Sequence, residues 1–182
     1  MDLRDYPGLW PGLALSIVVG IIVSGPLGRS LGISRTLAWG LVVGFGLAIA
    51  ATLTPSAEAI RFGALGSPSC DIERLTPASL DEILLFGETG LNVILFIPLG
   101  FAVGLVPWSR VKLALIAASV ALPFAIEAIQ LVVTTLGRAC QSADVVDNLT
   151  GLLIGLVIGI GLGGIVHLAS RSDRSDAGLE RP

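Results

Sequence analysis

Charged residues are scarce in this chain: only 14% of its 182 residues are Asp, Glu, Lys or Arg, whereas about a quarter of a soluble domain is charged. Apolar residues make up 53% of the chain. The formal net charge is −3, and nucleic-acid binding requires a clustered basic face that this sequence does not offer. The composition therefore indicates an integral membrane protein and argues against a nucleic-acid partner.

Histidine and cysteine are also rare. The single histidine, His167, lies near the end of the last apolar segment, far from the acidic residues discussed below, so a Ser-His-Asp triad is not indicated. The two cysteines, Cys70 and Cys140, lack the C-x-x-C or Cys/His spacing of zinc sites. We expect neither a metal centre nor a cofactor.

Long apolar stretches, by contrast, recur through the chain, and a bilayer is crossed by about 20 mostly apolar residues. Five stretches meet this length: Leu9–Gly28, Thr36–Ala57, Thr89–Ser109, Leu113–Gly137 and Asn148–Ser170. The first lacks the flank and cleavage site of a signal peptide, so we expect it to be retained. The sequence predicts an all-α, polytopic bundle of five transmembrane helices in one domain, residues 1–170. The polar tail, residues 171–182, is expected to be disordered and cytoplasmic.

The connection between the second and third apolar stretches contains a helix-start signal. Ser79 and Glu82 have the spacing of a capping box, and the apolar residues Leu80, Ile83 and Leu84 follow the serine. This pattern predicts a short helix at the membrane interface before the third span.

Basic residues are distributed unequally between the two sides that five spans define. One side receives seven: Arg29, Arg35, Arg110, Lys112, Arg171, Arg174 and Arg181. The other receives four over more chain: Arg4, Arg61, Arg74 and Arg138. The positive-inside rule places the first set in the cytoplasm, with the N-terminus outside and the C-terminus inside. Cys70 and Cys140 then both face an oxidising compartment, and we expect them to form a disulfide.

Polar side chains concentrate where the fourth and fifth spans meet. Glu127 and Gln130 are three residues apart and share a helix face, and Asp144 and Asn148 are four apart. The full set of candidate binding residues at this junction is Glu127, Gln130, Arg138, Asp144, Asp147 and Asn148. Because ionisable residues beside a membrane span are costly, such a cluster suggests a functional site by default.

Several roles are open for this cluster. It could hold a charged or sugar-bearing lipid headgroup, or a divalent cation, which oxygen ligands suit. Glu127 and Asp144 are the candidates for catalytic acid or base. The cluster could also be a structural network that orients two helices, with Asp147 or Asn148 capping the last helix.

Glycines recur every fourth residue in the last span, at Gly151, Gly155, Gly159 and Gly163. Such a ridge lets another helix approach closely. Since a short connection joins the fourth and fifth spans, we expect the fourth span to occupy this ridge.

Two blocks of the sequence resemble the VanZ-like family. The first is Asn92-x-x-x-Phe96-x-Pro98-x-Gly100, and the second begins at Glu127-x-x-Gln130. The second block continues with Arg138, Asp144, Asn148, Gly151 and Gly155. The motif-bearing part is residues 79–165, and the two cysteines are not part of the general pattern. The resemblance implies a multi-pass protein of the bacterial plasma membrane and adds Asn92 to the candidate site. The family takes its name from a protein that gives low-level resistance to the lipoglycopeptide teicoplanin.

Three classes of function compete for this sequence. The leading hypothesis is a membrane protein whose outer polar site engages a cell-envelope lipid, a lipid-linked glycan or a lipoglycopeptide, with a possible role in resistance or envelope homeostasis. The second is a metal-assisted transferase or hydrolase acting on a lipid headgroup. The third is a transporter, which the odd number of spans disfavours, because five spans do not divide into two equal inverted repeats.

Overall fold

Five long helices organise the computed structural model, which describes residues 7–85 and 87–179, with side chains through residue 165. In chain order the elements that follow residue 8 are α1 (Leu9–Leu31), α2 (Arg35–Thr52), α3 (Ala57–Phe62), β1 (Cys70–Asp71), α4 (Leu80–Leu84), α5 (Glu88–Leu105), α6 (Arg110–Val132), β2 (Cys140–Gln141) and α7 (Ser142–Leu179). Helices α1, α2, α5, α6 and α7 are long and apolar enough to cross a membrane. The predicted all-α bundle of five membrane-spanning helices is confirmed, and the side chain of His167 lies outside the described residues.

The connections between the spans alternate between two ends of the bundle. One end carries Cys70 and Cys140 and is called the disulfide end below. The opposite end carries the helix ends that contain Arg29, Arg35 and Lys112, and it is called the basic end.

Helices α1 and α2 form a hairpin that closes at the basic end. The face that α1 buries consists of small residues at intervals of four: Ser16, Gly20, Ser24 and Gly28. Ser34 caps α2 by accepting the Leu37 N–H at 3.2 Å. Small side chains on α1 thus allow the close approach that the sequence pattern predicts.

The first span was predicted to end at Gly28, but α1 continues past Pro26 to Leu31 and ends at Gly32, whose φ is 66°. Proline is tolerated inside a membrane helix when other groups satisfy the disturbed backbone. Pro26 removes the helix donor of the Ile22 carbonyl, and beside it the Arg35 Nη2 donates to the Ile21 carbonyl at 3.1 Å.

The glycine ridge of α7 packs against α5, not against α6 as the sequence predicts. A methyl group at Gly159 would lie 2.9 Å from the Gly104 Cα, and one at Gly151 or Gly155 would collide with a carbonyl oxygen of α5. At Gly163 the nearest atoms would be 4.0 Å away, so this glycine is not required for the contact. The correction has a physical reason, because α5 supplies its own small residues, Gly100 and Gly104, which match the ridge.

The apolar core lies where α2, α5, α6 and α7 meet. Its fully buried members include Leu41, Phe96, Leu99, Val103 and Ile126. Helix α6 contributes Ile126 to this core, and it carries its polar residues, Glu127 and Gln130, toward the disulfide end.

Residues 53–85 link α2 to α5 across the disulfide end and are called the strap. The predicted capping box is present: Ser79 accepts the Glu82 N–H at 3.3 Å, and Glu82 accepts the Ser79 N–H at 2.8 Å. The Ser79 hydroxyl also donates to the Glu82 carboxylate, at 3.0 Å. The hydrogen bonds from the Ser79 N–H and hydroxyl hold the pKa of Glu82 below its usual range. The strap also contains α3 and the strand β1, which the sequence analysis did not predict.

The last helix differs from its predicted bounds at both ends. It begins at Ser142, six residues before the predicted start of the span, and its backbone is helical to Leu179. Residues 171–179, for which composition predicts disorder, thus continue the helix, since adding residues to an existing helix is far easier than starting one. Residues 180–182 lie outside the described part of the chain.

Candidate functional site

A disulfide holds two segments of the chain together beside the candidate site. Cys70 in the strap is bonded to Cys140 between α6 and α7, with the two Cα atoms 4.6 Å apart. The prediction of this bond is confirmed. The same residues open a short parallel ladder in which Cys70 pairs with Cys140 and Asp71 with Gln141. Because of this crosslink, the chain entering α7 is held in place, and Gln141 is brought over the end of α6.

Further hydrogen bonds attach the strap to the α6–α7 connection. The backbone N–H of Ser56 donates to the Leu136 carbonyl at 2.9 Å, and that of Gly66 donates to the Thr134 carbonyl at 2.7 Å. Gly66 also lies so close to the Arg138 backbone that a methyl group there would collide with it. The strap is therefore packed against the α6–α7 connection at the disulfide end of the bundle.

Glu127 is 5% exposed on the inner face of α6. Its Oε2 accepts the backbone N–H of Gln141 at 2.7 Å. A buried carboxylate costs several kcal/mol unless it is paired or hydrogen-bonded, so the placement of Gln141 by the disulfide supports this residue directly. Gln141 was not among the predicted site residues, because a backbone donor leaves no trace in the identity of a side chain.

Gln130 lies one turn beyond Glu127 and is 4% exposed. Its Nε2 donates to the carbonyl of Thr52 at the end of α2, at 3.0 Å. This bond fixes the orientation of the amide, because the reverse orientation would bring two oxygens together. Within the described residues, Gln130 Oε1 is buried and has no hydrogen-bond partner.

One contact of Arg138 is with the chain at the end of α2. Its Nε donates to the carbonyl of Thr54 at 3.0 Å. Since Thr52 and Thr54 each offer a backbone acceptor to this region, the end of α2 is part of the site. The sequence analysis did not identify either threonine.

Asp147 belongs to a different contact from the other candidates. It is 1% exposed, and its Oδ2 lies 2.6 Å from the Nη2 of Arg74 in the strap. The Ser142 hydroxyl donates to the carbonyl of Arg74 at 2.8 Å, which fixes the backbone of the same residue. The hydrogen bond to Asp147 raises the pKa of the Arg74 guanidinium, so this group stays charged.

The suggestion that Asp147 or Asn148 caps the last helix is wrong. Helix α7 begins at Ser142, so both residues lie beyond its first turn. Each is 1% exposed, and each has one side-chain oxygen without a hydrogen-bond partner in the part of the chain that the structure describes. Their buried acceptors are therefore available inside the bundle rather than bound to a helix terminus.

One cavity of about 700 Å³ brings most of the candidates together. Six of the seven predicted binding residues line it: Asn92, Glu127, Gln130, Arg138, Asp144 and Asn148. Asp147 does not line it, whereas Glu88 at the start of α5 does, although the sequence analysis did not single out this residue. The seven residues are thus divided between a cavity and a structural ion pair.

The cavity has a polar end and an apolar side. Its apolar lining comes from the first turns of α1, the last turns of α2 and one face of α5: Leu9, Trp10, Leu13, Leu47, Leu91, Ile94, Leu95 and Pro98. Trp10 and Ile94 remain 60% and 40% exposed, and Pro98 is also exposed. The cavity is therefore open to the side of the bundle beside Trp10 of α1 and Ile94 and Pro98 of α5.

The arrangement of charge at the polar end is unequal. Four acidic residues, Glu58, Glu88, Glu127 and Asp144, belong to the lining. Arg138 contributes a cation, whose Nε donates to the Thr54 carbonyl. The ion pair between Arg74 and Asp147 lies outside this lining. No three His, Cys, Asp or Glu side chains in the described part of the chain are grouped closely enough to hold a metal ion.

The fold and these motifs define a class of polytopic membrane protein with a polar pocket at one end of the bundle. A family model, VanZ/LLP1, matches residues 36–163, which is more than half of the chain. The chain belongs to the VanZ/LLP1 family, and the resemblance of its motifs is confirmed. No curated protein and no solved structure matches the chain.

Proposed function

We propose that this VanZ/LLP1 membrane protein binds an amphipathic molecule of the bacterial cell envelope in its lateral cavity. The observation that supports this proposal is the shape and lining of the cavity: about 700 Å³, polar at the disulfide end, apolar along α1, α2 and α5, and open sideways. Ligand sites in proteins are commonly concave, largely apolar and provided with a few polar groups that fix orientation. A lipid, a lipid-linked glycan or a lipoglycopeptide combines a polar part and an acyl chain in this way.

The site faces the outside of the plasma membrane in this proposal. Disulfides persist in oxidising compartments, and Cys70 and Cys140 mark this end of the bundle. The basic residues near the other end favour a cytoplasmic position for that end. The N-terminus is then outside and the C-terminus inside.

The proposed orientation is tested with two single cysteines in a background that lacks Cys70 and Cys140. Ser30 and Ser69 are both exposed, the first at the basic end and the second in the strap. On intact cells, an impermeant thiol reagent should label Ser69→Cys and not Ser30→Cys. The reverse pattern would overturn the orientation.

The binding proposal is tested by filling the cavity. Leu13 of α1 lines the cavity, whereas Leu15 of the same helix is 64% exposed on the outside of the bundle. Leu13→Trp should reduce the envelope lipid that stays bound during purification, as measured by native mass spectrometry. Leu15→Trp should leave it unchanged. Equal lipid retention by both variants and the wild type would contradict a ligand in the cavity.

A role in glycopeptide resistance is a further part of this proposal, supported by the family name alone. Expression of the wild type in a susceptible host should raise the minimum inhibitory concentration of teicoplanin, and Glu127→Gln should abolish the increase. If the wild type gives no increase, the binding proposal stands and the resistance role does not. The alternative proposal is a metal-assisted transferase or hydrolase that acts on a lipid headgroup.

A further inference from the structure

A second, smaller cavity lies between α1 and α2 near the basic end, and it is called the α1–α2 cavity. Its volume is about 200 Å³. Five residues line it: Ile21, Ser24, Arg35, Thr36 and Trp39. None of the five lines the cavity at the disulfide end. The α1–α2 cavity is therefore a separate candidate site, and its lining contains one cation and no acidic side chain.

The Arg35 side chain extends inward along α1. Its Cα lies beside Gly28, since a methyl group on that glycine would be 3.5 Å from it. Its Nε donates to the Ser24 hydroxyl at 3.3 Å, and its Nη2 donates to the Ile21 carbonyl at 3.1 Å. Ser24 is about two turns before the end of α1, which is about 10 Å along the helix axis. Cationic side chains near the ends of membrane helices usually extend outward to the interface, so this inward direction requires an explanation.

The charge of Arg35 is not balanced within the described part of the chain. Its two hydrogen bonds are to neutral groups, and it forms no ion pair with a described residue. Every acidic side chain that the structure describes belongs to the elements of the disulfide end. An arginine stays charged in proteins, and a charge inside a membrane span is costly unless it is paired. An anionic ligand would supply the missing counter-charge.

Two further hydrogen-bond donors belong to the same lining. Trp39 lies one turn into α2 and packs on Gly20, where a methyl group would be 2.9 Å from its Cδ1. Trp39 is 36% exposed, and its indole N–H has no hydrogen-bond partner among the described residues. Thr36 is exposed, and its hydroxyl is also without a partner in that part of the chain. The lining thus combines one cation with neutral donors.

From this lining we infer that the α1–α2 cavity binds the phosphate group of an anionic phospholipid. The guanidinium fork matches two phosphate oxygens, and basic pockets between membrane helices suit anionic headgroups. Val18, Ile21 and Ile22 are 53%, 53% and 69% exposed on α1, so the same helix offers apolar surface to the acyl chains. Because this cavity is separate from the one at the disulfide end, the inference does not depend on the proposed function.

The test compares phosphatidylglycerol with phosphatidylcholine that has the same acyl chains. Both lipids contain the phosphate, but only the first has a net negative charge. The full-length Leu13→Trp variant is titrated in detergent, because its cavity at the disulfide end is filled, and binding is followed by native mass spectrometry. Phosphatidylglycerol should bind at least about tenfold more tightly. Equal affinities would overturn this inference and leave the proposed function intact.

A matched pair of variants assigns the preference to the α1–α2 cavity. Arg35→Gln should lower the preference for phosphatidylglycerol about tenfold. Arg29→Gln removes the same charge from an exposed arginine in the last turn of α1, outside the lining, and should leave the preference unchanged. Equal losses in both variants would overturn the site, because the general charge of the basic end would then explain the preference.

A second variant is needed because Arg35 also supports the Ile21 carbonyl, so its replacement affects the fold of α1. Trp39→Phe keeps an aromatic ring against Gly20 and removes the indole N–H. It should lower the preference about fivefold. If Arg35→Gln does not fold, Trp39→Phe decides the question, and an unchanged preference in that variant would overturn the inference.

Inorganic phosphate distinguishes a lipid from a free anion as the ligand. Competition only at concentrations far above that of the lipid supports a phospholipid site, because the acyl chains then contribute to binding. Competition by phosphate at the same concentration as phosphatidylglycerol would overturn the assignment of a lipid to the α1–α2 cavity.

Discussion

The basic end and the disulfide end both bury polar side chains among apolar helices, but they satisfy them to different degrees. At the basic end, Lys112 is 2% exposed, and its Nζ donates to the carbonyl of Gly104 at 2.8 Å. The same ammonium lies 4.7 Å from the ring centroid of Trp108. Gly104 is in the last turn of α5, where a cation also interacts favourably with the helix dipole.

At the disulfide end, Gln130, Asp147 and Asn148 each keep a buried oxygen without a partner in the described part of the chain. Two of these three residues line the cavity of about 700 Å³. Buried polar groups that are fully bonded rigidify a structure, whereas those left unbonded lower its stability. The comparison indicates that the buried polar groups of the basic end stabilise the fold. Those of the disulfide end are partly unbonded, which lowers the stability of the region where we propose that a ligand binds.

The two ends also differ in their crosslinks, because a disulfide attaches the strap to the α6–α7 connection at the disulfide end. Replacing Cys70 and Cys140 with serine should lower the free energy of unfolding by up to about 4 kcal/mol, since the bond closes a loop of 70 residues. Thermal unfolding in detergent, with and without reductant, measures this loss. Hydrogen exchange should rise in the strap and not in the connections of the basic end.

The double cysteine variant should also be insensitive to reductant, which separates loss of the bond from damage by the serines. If peptide mapping without reductant finds both cysteines alkylated in the wild type, the two ends do not differ in this way.

The ion pair between Arg74 and Asp147 is the next test of the disulfide end. Arg74→Met would leave a carboxylate that is 1% exposed without its cation, and removing one partner of a buried pair costs about 3–5 kcal/mol. Because Arg74 is itself 29% exposed, water weakens the effect, and we expect a loss of about 2–3 kcal/mol. Arg61→Met, at an exposed arginine of the same strap, is the control.

A double-mutant cycle tests whether Arg74 and Asp147 stabilise the protein as a pair. Arg74→Met combined with Asp147→Asn should recover most of the lost stability in a double-mutant cycle. Additive effects would mean that the pair does not hold the strap. The pKa of Arg74 is raised, so its contribution is complete below the usual pKa of arginine and is lost only above it. Stability measured between pH 7 and 10 should accordingly not fall through this group.

Two glycines of α7 test its contact with α5, because one of them lies in the contact and the other does not. A methyl group at Gly155 would collide with the Ile97 carbonyl and lie 2.7 Å from the Phe101 nitrogen, whereas at Gly161 it would meet nothing within 4 Å. Gly155→Ala should therefore reduce stability by about 1–3 kcal/mol. Gly161→Ala should be neutral or stabilise by up to about 1 kcal/mol, since alanine favours helix. Equal midpoints of thermal unfolding for both variants would refute the close contact.

Much of the fold could be predicted because the signals are local. The spans follow from the length of apolar stretches, and α4 follows from the spacing of Ser79 and Glu82. The glycine ridge was recognised, but its partner was not, because chain connectivity favours α6 while surface shape favours α5. Gly100 and Gly104, four residues apart in α5, were the available signal for that choice.

The candidate site was predictable only in the residues that carry functional side chains. Arg74 contacts Asp147 across 73 positions of sequence, and no local spacing predicts such a pair. Thr52, Thr54 and Gln141 act through backbone groups, which every residue has. Their roles arise from the positions of helix ends, and those positions depend on the tertiary packing.

The smallest expected effect lies at the basic end, where Lys112 is replaced by methionine. The variant loses a hydrogen bond to the Gly104 carbonyl and a cation–π contact with Trp108, but it keeps a side chain that fills the same buried space. We expect a loss of about 1 kcal/mol in stability, with Arg110→Met, an exposed neighbour, as control. Because Lys112 is at the opposite end of α6 from Glu127, the amount of envelope lipid that stays bound during purification should not change. If Lys112→Met reduced the envelope lipid that stays bound as strongly as Leu13→Trp, the two ends would be functionally coupled, and the division between structural contacts at Lys112 and ligand binding in the cavity at the disulfide end would fail.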